Sequence, residues 1–128
     1  MAVYKIFPTK DASLYSMFAT MNSGIDPISQ ISNLNLALSS SPSVARNLIY
    51  FDTAEIKDVL NNKKEGTWEV YLKSNIATAQ GINEDSELYI YPLAQDWNNG
   101  TGTYLDQPIT TDGASWATPA FDGSNVPW

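Results

Sequence analysis

Apolar side chains return at every second position through most of this chain, and that period decides what it can build. Trp68, Val70 and Leu72 point one way and Glu69, Tyr71 and Lys73 the other. Leu88, Ile90 and Pro92 alternate with Tyr89 and Tyr91, Leu34, Leu36 and Leu38 are spaced by two, and Val3, Lys5 and Phe7 alternate with Tyr4 and Ile6 up to Pro8. Successive side chains of a strand leave opposite faces, whereas a helix repeats every 3.6 residues, so these runs predict strands. A first strand is expected at 3–7, closed by Pro8, and a short second one at Ala12–Tyr15. Asn22-Ser23-Gly24 and Asp26-Pro27 carry turn chemistry, and Ser39 to Ser43 reads as a loop. The β-branched and aromatic run Val44–Phe51 is expected in the core.

One stretch departs from the rule. Asp52 stands where an N-cap would, Glu55 follows three residues later, and Ile56, Val59 and Leu60 have helical spacing. Lys57, Lys63 and Lys64 suit the negative end of the helix dipole, and Gly66 stops it. A single helix over about 53–63 is predicted, packed on a sheet edge. No internal repeat is visible. With 128 residues, the chain fits one domain, 1–128. Seven or eight short strands and one helix predict an all-β fold, an antiparallel jelly-roll-like β-sandwich.

Composition then narrows function. There is no cysteine and no histidine. Disulfides, thiolate nucleophiles, imidazole metal sites and every His-dependent triad are thereby excluded, so the expectation is a non-enzyme without a resident cofactor. The net charge of −7 is lopsided: all seven basic residues lie in 1–73, and residues 74–128 hold seven acidic ones with no lysine or arginine. No basic stripe is available to displace counterions from phosphate, which argues against nucleic acid as a partner. No apolar run approaches the roughly 18 residues of a membrane span, and the start alternates where a signal peptide would show a charged region and then an apolar one. No membrane partner is expected, and synthesis in a cytoplasm is.

The final third, rich in Gly, Asn, Asp, Thr and Trp, holds the candidate ligand chemistry. Asp96, Trp97, Asn98, Asn99 and Tyr104 combine aromatic faces with amides and a carboxylate, the set that grips a sugar by its apolar face and its hydroxyls. The bland alternative has Trp97 closing the end of the sandwich and Asn98-Asn99-Gly100 making a turn. Calcium is possible in 96–112, since it needs only oxygen ligands, although the spacing is not that of an EF-hand loop. Asp96 and Asp106 as a hydrolytic carboxylate pair form a weaker reading.

The blocks Asp11-Ala12-Ser13-Leu14-Tyr15, Asn22-Ser23-Gly24, Ala45 to Asp52, Leu88 to Trp97 and Ala114-Ser115-Trp116 resemble the DNRLRE-type β-sandwich family, related to carbohydrate-binding modules of jelly-roll fold. Met1–Pro8, Thr20 to Gly24, Ile31 to Leu36 and Gly113 to Trp116 are similar, more particularly, to uncharacterised virion structural proteins of tailed bacteriophages. That resemblance implies a component of the head, neck, tail or fibres, assembled in the host cytoplasm in several copies and partnered by other virion proteins. The related modules imply the alternative, recognition of a host-surface glycan. Trp128 is expected to dock, either on its own sandwich or on a neighbouring subunit.

Overall fold

A computed structural model describes residues 3–34, 43–62, 67–82, 85–120 and 126–128. The expectations for Leu36, Leu38, the serine-rich loop and the helix end at Lys63–Gly66 lie outside them. The described architecture is all-β with one short helix: β1 (Pro8–Tyr15), β2 (Ser32–Leu34), β3 (Ser43–Phe51) and α1 (Thr53–Asn62). The three strands form one antiparallel sheet in the order β1-β3-β2.

Strand β1 meets β3 with Tyr15 opposite Ala45 and Lys10 opposite Tyr50, and the register shifts between Pro8 and Lys10. Pro8 therefore opens the first strand and does not close one. The first position of a strand tolerates proline, because the missing N–H is not needed there for a ladder bond. Ala12–Tyr15 is the buried half of β1, not a separate strand. Strand β2 pairs only with the start of β3, Ser32 facing Ala45 and Leu34 facing Ser43.

The register sorts side chains by face. Ala12, Leu14, Leu48 and Tyr50 project to one side, where Trp97, Ala114 and Trp116 complete a cluster. Tyr15 and Ala45 project to the other side and pack with Met21 and Phe18. β3 is thus the middle strand, but of the run expected in the core only Ala45 is fully buried, with Leu48 and Tyr50 half-buried against the first cluster. The free edge of β1 is met by a side chain at Ser13. The Ser13 N–H donates to Ser23 Oγ at 3.0 Å, and the Ser23 hydroxyl donates to the Ser13 carbonyl at 2.7 Å. One hydroxyl so satisfies both backbone groups of Ser13, removing one pairing point from that edge.

The helix begins as its cap predicts. Asp52 Oδ1 accepts the Ala54 N–H at 2.8 Å, and the Asp52 carbonyl accepts that of Ile56 at 3.1 Å. None of its residues is fully buried, so it rests on the body through the half-buried Ile56 and Val59.

The runs at 3–7, 68–73 and 88–92 are not in any sheet among the described residues. Every described residue from 67 to 96 is exposed, with Val70 at 90% and Tyr71 at 80%. Among the described residues, no backbone hydrogen bond involves 67–82 or 85–95. Alternation makes a run fit for a sheet; it does not supply the neighbour.

Candidate functional site

The late loops are organised around Asn22, a residue that sequence reasoning placed in a turn. It is fully buried. Its Nδ2 donates to the carbonyls of Asn99 at 2.8 Å and Ala114 at 2.9 Å. Its Oδ1 accepts the N–H groups of Gly102 at 2.8 Å and Gly24 at 3.2 Å. An amide offers two donors and two lone pairs, and all four are used. Glycine is required around it for space: a Cβ on Gly24 would land on the Asn99 carbonyl, and one on Gly100, Gly102 or Gly113 would strike Asn22. The cluster of glycines in 100–113 was the signal available in the sequence, because close backbone approach to a buried polar group demands them.

Against this hub the five candidate ligand residues separate. Trp97 is 4% exposed and belongs to the core cluster with Leu14 and Ala114. Its carbonyl accepts the Lys10 ammonium at 3.1 Å, and that ammonium lies 5.5 Å from its ring centroid and 4.8 Å from that of Tyr50. No open ring face remains for a sugar to stack on. Asp96 accepts the Trp97 N–H at 2.8 Å and pairs with Lys10 at 3.6 Å, an exposed contact worth about 0–1 kcal/mol. Asn98 donates its N–H to the Pro119 carbonyl and accepts from Ala114, while Asn99 Nδ2 donates to the Gly24 carbonyl at 2.5 Å.

Tyr104 stands apart. Its ring packs 4.8 Å from Tyr15 and 6.2 Å from Phe18, on the opposite side of the sheet from Trp97, and both Asp26 carboxylate oxygens accept its N–H at 3.1 Å. Asp96 and Trp97 spend their polar groups on the fold. Asn98 does so through its backbone while the residue stays exposed, and Asn99 does so through Nδ2, its buried Oδ1 having no hydrogen-bond partner among the described residues. The turn-and-closure reading of 97–100 describes their contacts.

The acidic loop residues are similarly engaged. Asp112 accepts the Thr101 hydroxyl at 2.6 Å and the Thr101 N–H at 2.9 Å, which lowers its pKa below the ordinary carboxylate value. The Asp106 carboxylate accepts the Thr103 hydroxyl and N–H and, at 2.9 Å, the Thr110 hydroxyl, and its pKa is lowered too, by the Thr103 hydroxyl most of all. No three carboxylates converge on a common point among the described residues. These oxygens tie short loops.

An open groove of about 610 Å³ lies between Ile49, Tyr50, Phe51 and Ile56 on one wall and Pro92 to Trp97 on the other. Its lining is mainly apolar, and among the described residues Asp96 is its only carboxylate. The groove can bury an apolar side chain; it holds no paired acid and base and no activated nucleophile. Trp128, expected to dock, does so on its own chain: its indole N–H donates to the Ser115 carbonyl at 2.8 Å.

Neither a scan against family models nor searches of curated proteins and of solved structures finds a match for this chain.

Proposed function

We propose that this chain is a non-enzymatic structural protein of a bacteriophage virion, present in several copies and acting through contacts with other virion proteins. The carrying observation is the stretch 67–96, whose described residues are all exposed although they include Val70, Tyr71, Leu72, Ile76, Leu88, Tyr89, Ile90 and Tyr91. A monomer in water rarely leaves so many large apolar side chains of one stretch uncovered, and a backbone without hydrogen bonds among the described residues adds donors and acceptors to them. An assembly component receives both from its neighbours. In that assembled state Val3–Phe7, Trp68–Lys73 and Leu88–Pro92 supply further strands of a jelly-roll-like sandwich. The lack of imidazole and thiol groups and the resemblance of the sequence to phage virion proteins support the same reading.

The test is made on intact particles. Virions purified from the phage whose genome encodes the chain should contain it in stoichiometric amount. Lysine-directed cross-linking should join Lys5 or Lys73 to other virion proteins. A chain found only in the soluble fraction of infected cells overturns the proposal. The glycan alternative loses its main support with the enclosure of Trp97, and a panel of surface glycans should leave tryptophan fluorescence unchanged.

A further inference from the structure

The segment Trp68–Lys73 has the sequence of a strand that is its own partner. Its side chains divide into Trp68, Val70 and Leu72 on one face and Glu69, Tyr71 and Lys73 on the other. It is exposed throughout, and its backbone makes no hydrogen bond to any part of the chain among the described residues. Its internal contacts are slight: the Tyr71 hydroxyl donates to Glu69 Oε2 at 2.6 Å, and the Trp68 ring lies 6.1 Å from that of Tyr4.

We propose that this segment pairs antiparallel with the same segment of a second copy, about a twofold axis through Tyr71. The inference rests on the assembly reading above and names one of its surfaces. Directly opposite residues in an antiparallel pair share a face and interact most strongly. With the axis at Tyr71, Glu69 lies opposite the partner's Lys73 and Lys73 opposite the partner's Glu69. Val70 meets Leu72 twice on the other face, and the two Tyr71 rings meet at the centre. Moving the axis to Val70 sets Glu69 against Tyr71 and Lys73 against Thr67, which leaves all four charges without a partner. A parallel in-register pair sets Glu69 on Glu69 and Lys73 on Lys73. Of these arrangements only the Tyr71 axis sets each charge against its opposite while keeping Val70 on Leu72; it leaves Trp68 opposite the partner's Ser74, and it is isologous, so it closes at two copies. An unrelated partner would have no reason to find this complementarity inside a single six-residue run.

The experiment is a charge exchange read by analytical ultracentrifugation of the full chain. The wild type is expected to dimerise reversibly. E69K and K73E each turn two attractive pairs into two repulsive ones, and each should weaken the dimer by about tenfold or more. An equimolar mixture of the two variants restores both attractive pairs, because one chain then carries two lysines and the other two glutamates, and dimerisation should return. The substituted residues are exposed and outside both core clusters, and circular dichroism checks that the fold persists. A wild type that stays monomeric, a dimer indifferent to both substitutions, or a mixture no tighter than its components each overturns the proposal. A failed dimer with the chain present in particles defeats this pairing alone; a dimer with the chain absent from particles defeats the virion reading alone.

Discussion

A buried amide with all four hydrogen bonds made is costly to lose, and Asn22 is in that position. In Asn22→Ala, the N–H groups of Gly24 and Gly102 and the carbonyls of Asn99 and Ala114 lose their partner inside the body. At about 1–3 kcal/mol for a buried unsatisfied group, partly relieved by water, the loss should be about 3–5 kcal/mol in urea unfolding. Gly102→Ala should cost a comparable amount, since the Asn22 backbone and not a flexible side-chain end stands in the way. A loss below 1 kcal/mol in both would remove the hub from the account. Trp97→Ala belongs to the same class, at about 3–5 kcal/mol for an aromatic deleted from a core. It therefore cannot serve as a clean knock-out of ligand binding.

The two loop carboxylates give a pH prediction. Hydrogen bonds from Thr101 to Asp112, and from Thr103 and Thr110 to Asp106, lower both folded pKa values. A group with a lowered folded pKa contributes its stability in full above the unfolded value, near 3.9, and loses it as pH falls through the folded value. The contribution is thus constant from neutral pH down to about 4 and fades below. Thr101→Val should move the Asp112 titration upward toward the ordinary range, seen by carbon NMR of the carboxyl group, and leave Asp106 where it is. An Asp112 that does not move would show that Thr101 does not hold it.

Elements were legible where their signals are local. The helix is readable from Asp52 and the spacing of Ile56, Val59 and Leu60, and it forms over Thr53–Asn62; its last described turn carries no basic residue, and Lys63 and Lys64 lie outside the described residues. Asp52→Ala should cost about 1 kcal/mol and reduce the helical signal at 222 nm; unchanged ellipticity and stability would show the cap to be idle. Strand β3 was legible from its β-branched and aromatic density. The edges were not. Whether Pro8 ends a strand or begins one depends on which neighbour needs an N–H, and that is a property of the sheet. The same holds for Trp68–Lys73: its alternation is clear in the sequence, but a period of two carries no information on which strand lies alongside. Trp97 and Asn22 were ambiguous for a related reason, since aromatic and amide side chains serve cores and ligands alike. Only burial and partner count tell them apart.

At the scale of the whole molecule, the chain divides into a hydrogen-bonded body and bare runs beside it. The body joins distant parts: Asn22 donates to Thr110, Ile25 to Gly102 and Ala117 to Ala19, so the late loops are sewn to the segment after β1. Amide hydrogen exchange reports how firmly each part is held, because an amide is protected only while its bond persists. In dilute solution the amides of β1 and β3, together with those of Gly102 and Ala114, should be the slowest. Those of 67–82 and 85–95, which have no backbone partner among the described residues, should exchange close to the rate of an unstructured chain. Raising the concentration should slow exchange within 68–73 first, while β3 stays unchanged. Uniform slow exchange across 67–95 at the lowest concentration would mean that the runs already pair within one chain. The exposed apolar surface that calls for a neighbour would then be gone, and with it the main physical reason to place this protein in an assembly.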